Sequence, residues 1–280
     1  MQRRLPDYLK RPIIDTDKTR TVRKILKTKC LNTVCENARC PNKNECYTKN
    51  TATFLIMGGD CTRNCKYCNI NCAKPNPLDP QEPKHVAEAV QALGLKYAVI
   101  TSVTRDDLPD GGAEHFANCI YEIRKICPNT KIEILTPDFK GNKNSLDLII
   151  KAHPDVFNHN IEAVRDIFKA VRPQGDYNCS LEVLKYVKEN SDILTKSGLI
   201  IGLGETFEQI EQTLVDLKDV GCDIVTIGQY IQPSKKHLEV AKYYTPQEYD
   251  ELKALAKKTG IKNYQIGPLV RSSYRAAELI

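Results

Sequence analysis

The stretch TFLIMGGDCTRNCKYC, residues 53–68, joins a short apolar run to three closely spaced cysteines. Residues 53–57 are rich in side chains that favour β-strands, and two glycines follow them directly. In barrels of parallel strands, the functional loops follow the C-terminal ends of the strands. The stretch therefore predicts a first barrel strand that delivers the thiols of Cys61, Cys65 and Cys68 to the functional face.

Strand-like and helix-like segments alternate along the remainder of the chain. Further runs of β-forming residues lie at 97–103, 131–135, 155–158, 199–203 and 223–228. Segments with helical spacing of apolar residues lie at 86–93, 113–126, 146–151, 181–189, 207–220 and 247–259. Repeated strand–helix units predict an α/β fold, and about six units rather than eight predict a partial (open) TIM-type barrel.

We expect three parts along the chain: an N-terminal extension at residues 1–50, the barrel at 51–262 and a C-terminal extension at 263–280. The N-terminal extension shows no clear hydrophobic period and reads as a segment wrapped on the barrel. Polar residues at the strand ends are site candidates by position. These candidates are Thr101, Ser102, residues 158–160, residues 202–205, Gln229 and Tyr230.

A second group of cysteines lies in TVCENARCPNKNEC, residues 33–46, with the spacing C-x4-C-x5-C. The group at residues 61–68 has the spacing C-x3-C-x2-C. Three thiolates on one short loop can bind three irons of a cluster and leave the fourth corner open to a small molecule. The two groups therefore predict two iron–sulfur clusters with different roles.

Zinc and disulfides are the alternatives for these cysteines. A structural zinc site takes four protein ligands with paired C-x2-C spacing, and no second such pair completes either group. Disulfides are disfavoured because MQRRLPDYLKRP has no apolar leader, and we expect a reducing, cytoplasmic compartment. We expect the remaining cysteines to be small buried hydrophobes, with Cys30 and Cys72 kept as alternative ligands; they are Cys30, Cys72, Cys119, Cys127, Cys179 and Cys222.

Charge and hydropathy exclude other classes of function. The 280 residues include 41 Lys and Arg against 35 Asp and Glu, a formal net charge of +6 that cluster thiolates would lower. The basic residues are spread out without interleaved aromatics, so nucleic-acid binding is not indicated, whereas an acidic protein partner fits. No apolar run approaches the roughly 18 residues of a membrane span, and we expect no membrane association.

Several motifs of the chain resemble those of a known protein family. CTRNCKYC resembles the cysteine loop of the radical S-adenosylmethionine superfamily, and TVCENARCPNKNEC shortly before it is similar to the lipoyl synthase family in particular. Five further motifs are similar to that family: TSVTRDDLPDGGA, FNHNIE, GLIIGLGET, TIGQYIQPSKKH and GPLVRSSYRA. The similarity covers residues 31–276 and is loose only over the first thirty residues.

The resemblance implies a cofactor site at the barrel mouth. Cys61, Cys65 and Cys68 would bind a [4Fe–4S] cluster, and its fourth iron would chelate S-adenosylmethionine. The cofactor would then supply hydrogen abstraction from an unactivated carbon, which no side chain can perform. The implied contacts of S-adenosylmethionine are Tyr67, the glycine pair Gly111 and Gly112, and Asn160, Glu162 and Arg172.

The resemblance also implies a second [4Fe–4S] cluster as the sulfur source. Cys35, Cys40 and Cys46 would supply three ligands, and Ser273 of the RSSY motif the fourth. A serine alkoxide is a harder and weaker iron ligand than a thiolate, which suits a cluster that gives up its sulfides. Arg271 would stabilise that alkoxide.

The implied reaction inserts sulfur at C6 and C8 of an octanoyl chain held on a lysine of a lipoyl carrier domain. The implied partners are octanoylated carrier domains (dehydrogenase E2 subunits or glycine cleavage H protein) and an electron donor such as ferredoxin or flavodoxin. Two alternatives stay open: a biotin-synthase-like enzyme acting on a free small molecule, and a non-enzymatic cluster carrier or zinc-stabilised scaffold. The first would not need the Cys35 group together with RSSY, and the second would not cleave S-adenosylmethionine.

Overall fold

The computed structural model describes residues 5–12 and 14–280 of the chain. Its strands are β1 (Asn32–Thr33), β2 (Thr53–Ile56), β3 (Asp60–Cys61), β4 (Asn71–Cys72), β5 (Tyr97–Ser102), β6 (Lys131–Leu135), β7 (Val156–Asn158), β8 (Leu194–Ile201), β9 (Ile224–Gln229) and β10 (Asn263–Gly267). Its α-helices are α1 (Asp17–Thr28), α2 (Val34–Asn37), α3 (Lys43–Thr48), α4 (Glu82–Leu93), α5 (Ala113–Ile126), α6 (Lys143–Ala152), α7 (Phe168–Val171), α8 (Tyr177–Asn190), α9 (Phe207–Asp219) and α10 (Pro246–Lys258).

The backbone separates into two compact units. The N-terminal unit comprises Arg11–Arg63 and Asn69–Phe157, and the C-terminal unit comprises Asn158–Ile280 with Asn64–Cys68 and residues 5–10. These two units are defined by packing, whereas the three expected parts were defined by motifs. The expected boundaries therefore stay a prediction. Each unit is built from parallel strands joined by helices.

In the N-terminal unit, β2 pairs in parallel with β5, and β5 in parallel with β6, while β1 pairs antiparallel with β2. All four residues of β2 are buried, as expected for a parallel strand that is covered on both faces. Helix α5 packs between α4 and α6. Phe54, Ile100 and Ile134 are fully buried and fill the core between strands and helices.

In the C-terminal unit, β8 pairs in parallel with β9, and β9 in parallel with β10. Ile224 and Ile227 of β9 are fully buried, as are Leu214 and Leu252 on the flanking helices α9 and α10. Helices α9 and α10 both begin with a threonine capping box, at Thr206 and Thr245, which satisfies amide groups of the first turn.

All six strands predicted from the sequence are found, most of them with ends shifted by one or two residues. The run at 199–203 belongs to a longer strand, Leu194–Ile201, and Asn263–Gly267 was not predicted because NYQIG contains a single aliphatic residue. Residues 1–50 show no clear hydrophobic period, yet Asp17–Thr28 forms a helix with Thr16 as its cap and Val22 and Leu26 buried. Polar residues dilute its apolar spacing, but the capping threonine was a readable signal.

Among the described residues, no helix combines the length and the apolar character that a membrane crossing requires.

Candidate functional site

A miniature sheet closes the base of the cysteine loop that follows β2. Asp60 and Cys61 of β3 pair in parallel with Asn71 and Cys72 of β4, and the Asn71 amide donates to Asp60 Oδ1 at 2.7 Å. The chain enters this loop through Met57 and Gly58, whose φ angles of 67° and 92° lie in the left-handed region. The glycine tolerates this turn without strain, so the end of β2 can feed the loop directly.

The sulfur of Cys61 lies among backbone amides. The N–H groups of Arg63 and Thr104 donate to Cys61 Sγ at 3.4 and 3.3 Å. Thr62 donates to the Thr104 carbonyl from both its amide, at 3.1 Å, and its hydroxyl, at 3.0 Å. Amide donors aimed at a sulfur stabilise its thiolate and tune a cluster that it binds. The loop after β5 therefore prepares Cys61 to act as a ligand.

Arg63, inside the cysteine loop, is buried and forms two carboxylate pairs. Its guanidinium donates to Asp106 at 2.7 and 2.9 Å and to Asp138 at 2.7 Å through each of two nitrogens. Burial lowers the pKa of Arg63, but hydrogen bonds to Asp138 and Asp106 outweigh it and raise that pKa. The guanidinium is therefore held charged and ties the loop to the segments after β5 and β6. Sequence reasoning missed all three residues.

Gly111 and Gly112 lie in a tight turn at the start of α5, with φ angles of 64° and 89°. A Cβ on Gly112 would lie 2.3 Å from Met57 Sδ, and one on Gly111 would lie 2.9 Å from Phe139 Cδ1. The Gly112 amide donates to Asp110 Oδ1 at 2.9 Å. Close packing explains both glycines, and their contact with S-adenosylmethionine stays a prediction.

Two buried polar atoms, one at the end of β5 and one just after it, accept or donate no hydrogen bond within the described structure. They are Ser102 Oγ and Arg105 Nη1, although the rest of the Arg105 guanidinium pairs with Asp107. Buried polar atoms are normally paired, so atoms of this kind point to a group that binds there. The segment thus has unused hydrogen-bonding capacity on the same stretch that contacts Cys61 Sγ.

The C-terminal unit brings together four predicted cofactor contacts: Tyr67, Asn160, Glu162 and Arg172. The Tyr67 hydroxyl donates to the Glu162 carboxylate, and the Asn160 amide donates to Glu162 Oε1 at 3.1 Å. Arg172 donates to the Asn160 carbonyl at 3.0 Å, and the Lys66 amide donates to the Val171 carbonyl at 2.9 Å. The residues expected to bind one ligand thus form one connected network beside Cys65 and Cys68.

Burial dominates the electrostatics of this network. Burial raises the pKa of Glu162, although Arg172, Asn160, Tyr67 and Arg271 each favour its charged form. Burial also raises the pKa of the Tyr67 phenol far above its usual value, and the neighbouring charges of Glu162 and Cys65 add to the effect. Tyr67 therefore stays neutral and acts as a hydrogen-bond donor.

Glu162 has a left-handed backbone, with φ at 69°. Its amide donates to the Gly198 carbonyl at 2.9 Å, and its carbonyl accepts from the Ile200 amide at 3.0 Å, which forms an isolated parallel bridge to β8. A non-glycine residue held in this region stores strain and is common at functional sites. The strained backbone aims the Glu162 carboxylate at Tyr67 rather than along the strand.

The RSSY segment contacts the same network. Ser272 Oγ donates to Asn160 Oδ1 at 2.8 Å. A Cβ on Gly198 would lie 2.6 Å from Asn160 Oδ1, and one on Gly228 would lie 2.0 Å from the Val270 carbonyl oxygen. The two glycines of β8 and β9 therefore make room for this segment, a role that the sequence did not reveal. Ser273 is half-buried beside Ser272.

The second cysteine group is gathered in the N-terminal unit by two short helices. Cys35 lies on α2 and is buried, Cys46 lies on α3, and the Cys40 amide donates to the Cys35 carbonyl at 3.1 Å. The Thr51 hydroxyl donates to the Cys46 carbonyl at 2.8 Å. The charge of Cys40 acts on both other thiols, so the structure brings the three predicted ligands into one cluster of thiols.

Burial raises the pKa of Cys35 to about 12, and the charges of Cys40 and Cys46 add to the rise. Burial and the charge of Cys40 likewise raise the pKa of Cys46 to about 11. A raised pKa disfavours the free thiolate, and a bound cation offsets this by stabilising the charged form. Cluster irons would supply that positive charge, so the donor set fits an iron–sulfur cluster.

Within residues 5–12 and 14–280, no three His, Cys, Asp or Glu side chains converge on a point that could hold one metal ion. A zinc ion needs its ligands around a single centre. In a four-iron cluster each thiolate binds a different iron, so the sulfurs stand further apart. Three cluster thiolates are therefore expected to be more widely separated than three zinc ligands.

The six remaining cysteines divide by burial. Cys119 and Cys222 are buried, as expected for small hydrophobes, but the expectation was wrong for Cys127 and Cys179, which are half-buried, and for two exposed thiols. The exposed thiols are Cys30 and Cys72, the two that were kept as alternative ligands. Cys72 lies across from Cys61 in the β3–β4 register.

A family model described as the Radical SAM superfamily matches residues 55–217. A protein named "Lipoyl synthase" from Caldanaerobacter subterraneus subsp. tengcongensis is 51% identical over 274 residues, which cover 98% of this chain and 96% of that protein. Another with that name, from Caldicellulosiruptor bescii, is 53% identical over 272 residues, covering 97% of this chain and 94% of that protein.

The similarity of this chain to solved structures bears on its fold alone. The crystal structure of methylornithine synthase superposes with a TM-score of 0.58 at 12% identity, covering 88% of this chain and 74% of that one. With the family match, this confirms the predicted fold class, α/β with a mostly parallel, open barrel.

Proposed function

Because this chain belongs to the lipoyl synthase family of the radical S-adenosylmethionine superfamily, we propose roles for its own residues in that family's sulfurtransferase reaction. The reaction inserts sulfur at C6 and C8 of an octanoyl chain on a carrier lysine. Two [4Fe–4S] clusters would serve it, one at Cys61, Cys65 and Cys68 and one at Cys35, Cys40, Cys46 and Ser273. The observation that carries the proposal is the contrast in how the protein surrounds the two groups of thiols.

Cys61 would hold the radical-generating cluster with its sulfur already aligned. The amides of Arg63 and Thr104 donate to Cys61 Sγ, while Arg63 anchors the loop through Asp106 and Asp138. The cluster and S-adenosylmethionine, when bound, supply the one-electron chemistry that removes hydrogen from the octanoyl chain. At this site the protein would bind and orient S-adenosylmethionine and exclude water.

Tyr67, Asn160, Glu162 and Arg172 would orient S-adenosylmethionine. The buried Glu162 carboxylate accepts bonds from Tyr67 and Asn160 and retains lone pairs for a ribose hydroxyl or an amino group. Ser102 Oγ and Arg105 Nη1 offer further polar groups that are buried and not used within the described structure. Because Gly111 and Gly112 carry no side chain, the methionyl end of S-adenosylmethionine could approach their backbone closely.

Cys35, Cys40 and Cys46 would hold the cluster that donates sulfur. Cys35 is buried, and the raised pKa values of Cys35 and Cys46 mean that these thiols take up protons when iron leaves. Ser273 would be the fourth and weakest ligand, and Arg271, two positions earlier, would favour its alkoxide. Loss of the iron bound by Ser273 would expose a sulfide of this cluster to the substrate carbon.

The partners follow from the reaction class. A lipoyl carrier protein must present the octanoyl-lysine, and a reductant must deliver electrons; we propose E2 subunits or glycine cleavage H protein for the first and ferredoxin or flavodoxin for the second. We also propose a cytoplasmic location, because oxygen-sensitive clusters require a reducing compartment.

Isotope labelling tests the proposal. The wild-type chain is reconstituted anaerobically, with the second cluster rebuilt from heavy sulfide, and it is then reduced and given S-adenosylmethionine and an octanoyl-lysyl peptide. Mass spectrometry of the first turnover should show two heavy sulfurs in the lipoyl product. Light sulfur in that product would contradict the sacrificial role of the Cys35 group, and a failure to form 5′-deoxyadenosine would contradict the role of the Cys61 loop.

A further inference from the structure

The segment that follows β9 contacts the backbone of the cysteine loop. His237 Nε2 lies 2.9 Å from the carbonyl oxygen of Cys68, and the Leu238 amide donates to the Lys66 carbonyl at 3.1 Å. His237 and Cys68 are 169 positions apart in the chain, yet both belong to the C-terminal unit. His237 ends the motif TIGQYIQPSKKH, to which the reaction described above gives no role.

His237 is itself held in place by its own segment. Ser234 Oγ lies 2.9 Å from His237 Nδ1, and the His237 amide donates to the Ser234 carbonyl at 3.0 Å. The Gln232 amide donates to the His237 carbonyl at 2.9 Å, and the Tyr230 hydroxyl donates to the Leu238 carbonyl at 2.8 Å. The imidazole is therefore oriented before any cofactor binds.

These contacts decide the tautomer of the neutral ring. A carbonyl oxygen can only accept, so the proton must be on Nε2 for a bond to Cys68. Nδ1 then accepts from the Ser234 hydroxyl, whose oxygen also accepts from the Lys236 amide at 3.3 Å. Ser234, His237 and Cys68 thus form a directed chain of hydrogen bonds that ends on the peptide group of a proposed iron ligand.

We propose that His237 is a positioning residue for the radical-generating cluster and acts by fixing the peptide carbonyl of Cys68. Fixing that carbonyl restricts the ψ rotation of Cys68 and so the backbone from which its thiolate projects toward iron. Groups that orient metal ligands commonly change metal affinity 10- to 100-fold when removed. This inference rests on the proposed function, since it takes Cys68 to be a cluster ligand.

A matched pair of variants isolates the bond to Cys68. Glutamine places an amide N–H near the position of Nε2, whereas asparagine reaches only to the position of Nδ1. His237→Gln therefore keeps a donor for the Cys68 carbonyl, and His237→Asn keeps only the polar contact with Ser234. His237→Ala removes both contacts, and urea unfolding of all three variants reports any general loss of stability.

The experiment uses the full-length chain after anaerobic reconstitution. For each protein, the reduced form is examined by electron paramagnetic resonance before and after S-adenosylmethionine is added, and the release of iron to a chelator is followed over time. We expect His237→Asn and His237→Ala to lose the S-adenosylmethionine-responsive cluster about 10- to 100-fold faster than wild type. His237→Gln should remain close to wild type, and the other cluster should be unaffected in every variant.

Two results would overturn the positioning role. One is equal cluster release in wild type, His237→Gln and His237→Asn; the other is accelerated release from both clusters together, which marks a general folding defect. The underlying proposed function fails in a different way. If the spectrum of the wild-type protein does not respond to S-adenosylmethionine, the cluster assignment itself is wrong, whatever the variants do.

Discussion

Cys61 and Cys35 lie in the same compact unit, but their sulfurs meet different surroundings. Cys61 is half-buried, and its sulfur accepts hydrogen bonds from the amide of Arg63 in its own loop and from the amide of Thr104 after β5. Cys35 is 5% exposed, and burial together with the charges of Cys40 and Cys46 raises its pKa to about 12, despite bonds from Thr53. Each sulfur accepts two hydrogen bonds, from two backbone amides at Cys61 and from the amide and hydroxyl of Thr53 at Cys35, so the two sites differ in burial and in the charge of neighbouring thiols.

The difference fits the proposed division of work between the two sites. A cluster that survives many turnovers benefits from a ligand loop anchored independently of iron, and the buried Arg63 pairs supply that anchor. A cluster that is consumed needs ligands that release iron and take up protons, and the raised pKa values of Cys35 and Cys46 favour this. Three predictions can break or sharpen this comparison.

The largest effect should come from removing one group of thiols at a time. Replacing Cys61, Cys65 and Cys68 by alanine should lower reconstituted iron from about eight to about four per chain and abolish 5′-deoxyadenosine formation. Replacing Cys35, Cys40 and Cys46 should halve the iron equally but leave 5′-deoxyadenosine formation intact, while no lipoyl product forms. Iron analysis and mass spectrometry of both products report the outcome.

The two triple variants serve as controls for each other because each removes the same number of thiols. If the Cys61-group variant still cleaves S-adenosylmethionine, or the Cys35-group variant still makes lipoyl peptide, the proposed division of roles is wrong.

A smaller but still large effect is expected from Arg63→Leu. The substitution leaves Asp138 buried without its cation and Asp106 partly so, and breaking a buried pair in this way costs about 3–5 kcal/mol of unfolding free energy. Because Arg63 lies in the Cys61 loop, the variant should also lose S-adenosylmethionine cleavage while it retains the second cluster. Urea unfolding and iron release from each cluster measure the two effects.

Two comparison variants make that result interpretable. Lys253→Leu breaks an exposed pair with Asp250 and should change stability by no more than about 1 kcal/mol. Adding Asp138→Asn to Arg63→Leu removes one buried charge and should recover part of the lost stability. A loss for Arg63→Leu no larger than that for Lys253→Leu would show that the network does not anchor the loop.

The smallest effect is expected from Thr53→Val, which keeps the shape of a buried side chain and removes its hydroxyl. The Thr53 hydroxyl and amide both donate to the Cys35 sulfur, and only the amide remains in the variant. A single hydrogen bond contributes about 0.5–1.5 kcal/mol, so iron should leave the second cluster about 2- to 10-fold faster. Spectroscopically resolved iron release measures this, and Thr53→Ser, which keeps the hydroxyl, should resemble wild type. Faster release from the cluster at Cys61 as well would contradict a local effect.

The placement of the strands was predictable because buried parallel strands are apolar over their whole length. Thr53–Ile56 and Lys131–Leu135 were found where the pattern placed them, since burial and local β-preference agree there. Asn263–Gly267 was not predicted because its strand conformation depends on pairing with β9 and not on its own residue types. The helix at Asp17–Thr28 was not predicted because its single buried face is narrow.

The sequence alone determined the family and predicted which thiols bind the clusters, because ligand spacing along a loop is a local, covalent property. It also predicted Tyr67, Asn160 and Glu162 as cofactor contacts, although only through resemblance. The tertiary structure decided what surrounds them: Arg63 with Asp138, 75 positions away, and His237 with Cys68, 169 positions away. Bonds between residues this distant depend on how strands and loops pack, and no local pattern of residue types carries that information.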